Sequence, residues 1–133
     1  MRKKLSVLLA AVTLYAALLT GCAKYSSHYN AVGFVHNNLS DEAFMDFYSF
    51  EGEMVFTLEK DDAASGKIKC SGKLESGSID IYIDADGSRR KLFTLAAGEE
   101  TEAVAEGLVN DEVYIIAETN CECRNGKLSF TAV

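Results

Sequence analysis

The sequence predicts an all-β fold: an antiparallel β-sandwich, jelly-roll or immunoglobulin-like, of about eight short strands behind a leader segment. Three observations carry this. From Tyr29 onward, apolar and polar residues alternate with period two over short stretches. Turn-forming Gly, Asp and Asn recur at intervals of roughly 8–12 residues. Proline is absent from the chain, so every turn falls to those residues.

Tyr29 to Val35 opens the series, and Asn37 to Glu42 is turn-rich, with Ser40 placed to cap one short helical turn. In the next strand, Phe44, Tyr48 and Phe50 are expected in the core, with Met45 and Phe47 on the opposite side. After a turn at Glu51-Gly52, Met54, Phe56 and Leu58 alternate with Glu53, Val55, Thr57 and Glu59 as a half-buried strand. Residues 60–66 read as a loop. Ile68, Cys70 and Leu74 then point one way and Lys67, Lys69, Ser71 and Lys73 the other. Ile79, Ile81 and Ile83 follow, opposed by Asp80, Tyr82 and Asp84. A hairpin turning at Glu75-Ser76-Gly77-Ser78 would set Lys73 against Asp80 and Lys69 against Asp84, opposite charges that fix register.

Asp84-Ala85-Asp86-Gly87-Ser88 reads as a hairpin turn. Acidic residues beside glycine also suggest calcium, which keeps Asp84 and Asp86 as metal candidates. An EF-hand, however, would need ligands where Tyr82 and Phe93 stand. Leu92 to Leu95 is a strand, and Thr101 to Ala105 a weak polar one expected at an edge. Val113 to Ala117 is apolar on both faces, which requires cover on both sides. Asn125-Gly126 is expected to turn the chain into the last strand, where Leu128, Phe130 and Ala132 alternate with Lys127, Ser129 and Thr131.

The leader has the order of an export signal. Arg2, Lys3 and Lys4 precede an apolar run from Leu5 to Leu19, shorter than the roughly 20 residues a membrane-spanning helix needs. The run ends in Leu19-Thr20-Gly21-Cys22, which resembles the lipobox of bacterial lipoprotein precursors. That resemblance implies cleavage before Cys22, diacylation of its thiol, and a lipid-anchored protein on the extracytoplasmic face of a cell membrane. An ordinary secretory signal, with Cys22 incidental, is the alternative. The domain reading is therefore a signal peptide over 1–21, a lipidated tether over 22–28 and a β-sandwich over 29–133. Without the leader's three basic residues, ten basic residues stand against 20 acidic ones, a net charge of −10. Such a charge argues against nucleic-acid binding and against an electrostatic hold on anionic lipid.

Cys70, Cys121 and Cys123 remain, an odd number once Cys22 is acylated. Cys121 and Cys123 would share a face in an extended strand and not bond each other, but either could reach Cys70 across neighbouring strands. Three cysteines with His28 or His36 could also supply zinc ligands, although no C-x-x-C pair is present.

From Phe44 to Val133 the order of elements resembles the pre-peptidase C-terminal domains of secreted bacterial proteins. The likeness lies in the Asp-Gly hairpin and in Glu112-Val113-Tyr114-Ile115-Ile116 before Asn125-Gly126-Lys127-Leu128-Ser129-Phe130, with Glu-Val-Tyr where that family has Gly-Tyr. It implies an accessory, non-catalytic module that contacts polysaccharide or calcium. No nucleophile elbow or enclosed carboxylate pair is present, so neither an enzyme nor a cofactor is expected. The expectation is a binding or adhesion module with Tyr48 and Tyr82 as contacts for a polysaccharide or a cell-envelope protein. The alternatives are a structural envelope-assembly protein and a calcium- or zinc-binding surface module.

Overall fold

The computed structural model describes residues 25–133. The leader and Cys22 lie outside the described residues. Nine strands form: β1 (His28–Val32), β2 (Val35–Asn38), β3 (Glu42–Glu59), β4 (Ile68–Ser76), β5 (Ser78–Asp84), β6 (Arg90–Ala96), β7 (Glu100–Ala105), β8 (Glu112–Thr119) and β9 (Cys123–Ala132). Every pairing is antiparallel, in the order β6-β5-β8-β3-β9-β4-β7, with β1 and β2 also on β3.

The registers reduce nine strands to five long, bent tracks. β1 runs along one edge of β3, pairing Ala31 with Phe50 and His28 with Glu53. On the other edge Phe50 meets Cys123 and Glu53 meets Glu118, so β9 and β8 follow one another there. β4 and β5 are likewise successive along β9 and β8, and β7 and β6 along β4 and β5. The tracks break side by side, at Gly52, at Asn120–Glu122, at Gly77 and at Gly98. There the sheet folds over, giving two layers. The first holds β2, the start of β3, β9, β4 and β7. The second holds the end of β3, β8, β5 and β6.

Contacts that no flat sheet permits mark the fold. Phe56 belongs to the second layer and Phe130 to the first, yet their ring centroids are 5.5 Å apart. A Cβ on Gly72 of β4 would come within 3.0 Å of Leu95 on β6. At one open side Asn38 acts as a substitute strand, donating to the Thr57 carbonyl at 2.7 Å and accepting from its N–H at 2.8 Å. The result approaches a closed barrel, filled by Met45, Phe47, Phe50, Phe56, Leu58, Ile68, Cys70, Ile79, Ile81, Ile83, Leu95, Ile115 and Phe130. Among the described residues, no helix is long and apolar enough to cross a membrane.

The predicted class is the observed one, and four local expectations are corrected. β4 and β5 do not pair: Lys73 lies beside Lys127 and Glu100, while Asp80 holds Lys91 at 3.1 Å. Gly77 is a corner in one track rather than the tip of a hairpin. Glu51-Gly52 and Asn125-Gly126 do not separate strands either, since the first bends β3 and the second lies inside β9. Phe44 and Tyr48 are exposed whereas Phe50 is buried, because the inward parity of β3 changes between Phe47 and Phe50 on approach to the corner. Cys121 is exposed and Cys123 buried, since the corner loop, not an extended strand, joins them. As expected, β7 lies at an edge, and Ile116 in β8 is fully buried although it points away from the main core.

Candidate functional site

The outer face of the first layer carries two complete cross-strand rows. Phe44, Ser129, Ser71 and Glu102 are aligned by register, and beside them Asp46, Lys127, Lys73 and Glu100. Directly opposed side chains share a face, so these eight project together. The Ser71 and Ser129 hydroxyls are 2.8 Å apart, and Lys127 lies 3.6 Å from Asp46. The second row thus reads acid, base, base, acid across four strands.

Two hollows, of about 740 and 470 Å³, share Asp46, Lys73, Glu100 and Lys127 and run together as one trough. Phe44 lines its wall. Tyr48, 54% exposed, projects from the same face of β3 two positions beyond Asp46. A ring this exposed offers its face for stacking.

Tyr82 is placed differently. It lies on the outer face of the second layer with the Arg89 guanidinium 3.9 Å above its ring, a cation–π contact that covers the stacking surface. Tyr48 and Tyr82 therefore stand on opposite faces of the molecule and do not form one site. Arg89 also ion-pairs with Glu118, and with Glu53 at 3.7 Å.

Asp84 is fully buried on that second face. One of its carboxylate oxygens accepts from the Tyr25 hydroxyl at 2.7 Å and the other from the Gly87 N–H at 2.9 Å. Asp86 accepts from the Ser88 N–H and hydroxyl, each at 3.1 Å. Both acids thus serve the β5–β6 turn and the docking of Tyr25. No group of three or more His, Cys, Asp or Glu side chains among the described residues is placed to hold a metal ion.

Residues 25–28, assigned to the tether on sequence grounds, pack on the folded body. The Tyr25 ring meets Tyr114 edge-on at 5.3 Å, and the Ser27 hydroxyl accepts from the Val55 N–H at 2.8 Å. Burial, reinforced by the hydrogen bond to Asp84, pushes the Tyr25 hydroxyl up to about 12 from its ordinary 10.0. The unfolded chain gives up that proton first, so the contact stabilises fully below pH ~10 and is lost as pH rises through the folded value. A late-titrating tyrosine is expected in a spectrophotometric titration of the folded domain. It should vanish in Tyr25→Phe, while a titration curve unchanged by that substitution would contradict the assignment.

Cys70, Cys121 and Cys123 are free thiols in the structure. Burial pushes Cys70 up to about 12 and Cys123 up to about 11, so neither offers much thiolate near neutrality. Cys123 lies 3.4 Å from the Ser78 carbonyl and fills the hollow beneath Gly77, as a packing residue.

Sequence reasoning named Tyr48 as a contact while placing it in the core, and missed the trough and the roles of Tyr25 and Asn38. The trough depends on which strands are neighbours, and β3-β9-β4-β7 are far from consecutive. Tyr25 and Asn38 sit in short polar segments where no periodicity signals a partner.

No family model matches the sequence, and no curated protein matches it significantly. Solved structures resemble this chain only at low identity and low TM-score. A protein from Neisseria meningitidis is 13% identical, with a TM-score of 0.39 over 85% of this chain and 93% of its own. A family 29 carbohydrate-binding module is 10% identical, with a TM-score of 0.38 over 80% and 90%. A cupin protein from Bacteroides fragilis is 12% identical, with a TM-score of 0.39 over 82% and 84%. At these values the matches say nothing of a ligand for this chain.

Proposed function

We propose that this chain is an extracytoplasmic lipoprotein, anchored through Cys22, whose body is a non-catalytic binding module for an extended polysaccharide of the cell envelope. The observation that carries the binding reading is the exposed Tyr48 and Phe44 beside the trough. The aromatic rings offer apolar faces to sugar rings. Ser71, Ser129, Lys73, Lys127, Asp46, Glu100 and Glu102 offer donors and acceptors to hydroxyls along a chain crossing four strands. The anchor reading rests on the leader sequence ending at Cys22. A broad apolar patch would favour a protein partner instead; the exposed Val32 and Val35 stand at the β1–β2 edge, outside the trough.

Affinity electrophoresis through gels cast with solubilised peptidoglycan glycan or with glucomannan tests the binding. The native domain is expected to be retarded by at least one of them. Tyr48→Ala should bind about tenfold more weakly, equivalent to about 1.4 kcal/mol, with an unchanged circular dichroism spectrum. Equal migration of the two proteins in every gel would remove the trough as the binding surface. Growth of the producing cell with labelled palmitate tests the anchor separately, since label should appear on the native chain and not on Cys22→Ala.

A further inference from the structure

We propose that Tyr25 is a joint that seats the outer face of the second layer against the phospholipid bilayer and turns the trough away from it. The inference rests on the lipid anchor at Cys22 and adds an orientation to it. Tyr25 is the third residue after Cys22, so the acylated end stays within about 10 Å of it however the intervening chain runs. Tyr25 in turn is held to one face of the molecule, by its hydroxyl on Asp84, by its ring on Tyr114, and by Ser27 on Val55. Asp84 and Tyr114 are opposed in register on the outer side of the second layer.

The trough opens on the other side of the sandwich, beyond two sheets that pack about 10 Å apart. A long flexible tether would let the body tumble beneath its anchor; an attachment only three residues from Tyr25 keeps this face within reach of it. The charges on the anchored face permit the approach. In an acidic protein, Arg89-Arg90-Lys91 is the only run of three basic residues among the described ones, and it borders this face. There Arg89 is matched by Glu53 and Glu118, and Lys91 by Asp80. Arg89 and Lys91 thus offset two of the three carboxylates they meet, which lowers the repulsion between this face and an anionic surface.

The test uses the full lipidated chain in vesicles of phosphatidylethanolamine and phosphatidylglycerol that contain a nitroxide-headgroup lipid. A fluorophore is attached at Lys91→Cys on the anchored face or at Ser129→Cys in the trough, each in a Cys121→Ser background. Quenching at position 91 is expected to exceed that at 129 at least threefold. A flexible Gly/Ser insertion of about 20 residues after Lys24, spanning roughly 25 Å, should abolish the difference while leaving the folded body intact. Co-flotation with equal quenching at both positions, or stronger quenching at 129, overturns the orientation and leaves the anchor standing. A chain that fails to float with the vesicles removes the anchor and the orientation with it.

Discussion

Phe56→Ala is expected to lower the unfolding free energy by about 4 kcal/mol, among the largest losses available to a single core truncation here. Phe56 is fully buried, and its partner across the fold is Phe130. Truncation leaves a cavity between two layers that are continuous covalent tracks, so neither can move in to fill it without opening the corners. Urea unfolding of the 25–133 domain checks this, with the midpoint falling and the slope kept. Phe44→Ala serves as the comparison, because Phe44 projects from the outside of the same strand and its loss should cost well under 1 kcal/mol. A Phe56→Ala effect no larger than that of Phe44→Ala would mean that the two layers are not folded onto one another.

Gly77→Ala is expected to cost about 3 kcal/mol, and for a different reason. Gly77 has φ +100, a conformation that side chains rarely adopt, and it lies where β4 passes into β5 around the corner. A Cβ there would meet the Cys123 sulfur at 2.6 Å and the Cys123 Cα at 2.9 Å. The sulfur can be removed, but the backbone atom cannot. Adding Cys123→Ala should therefore recover less than half of the loss in a thermal melt. Full recovery would show the clash to be confined to the thiol, with no backbone demand at the corner.

Much of the inside of the molecule was legible without coordinates. Ile68, Cys70, Leu74, Ile79, Ile81, Ile83, Met54, Phe56, Leu58, Leu128 and Phe130 alternate with polar residues, and all are buried. The double-faced apolarity of Val113 to Ala117 marked β8 as covered on both sides. Period two works here because a pleated strand has only two faces, and water selects between them one residue at a time. At corners the rule fails. Phe44 and Tyr48 were assigned inward with Phe50, but the parity of β3 changes before Phe50.

Of the candidate site, the polar character of Lys73, Lys127, Ser71 and Ser129 was legible, while Tyr48 was named as a contact although the strand alternation placed it inward. Alternation says that these side chains point outward and says nothing of one another. Lys73 and Asp80 looked like hairpin partners because a Gly-containing turn and a Gly-containing corner have the same composition. What separates them is whether β5 returns along β4 or continues past it, and that depends on β8 and β9, more than 30 residues downstream.

The sequence by itself determined the all-β class and the inward residues of most strands, because each is written in neighbouring residues whose contest with water is local. Tertiary structure alone decided that the strands join into five folded tracks, that two rows of four residues make a trough, and that Tyr25 is bound to Asp84. These depend on pairings between distant segments, chosen by the packing of the whole core and not by any stretch within it.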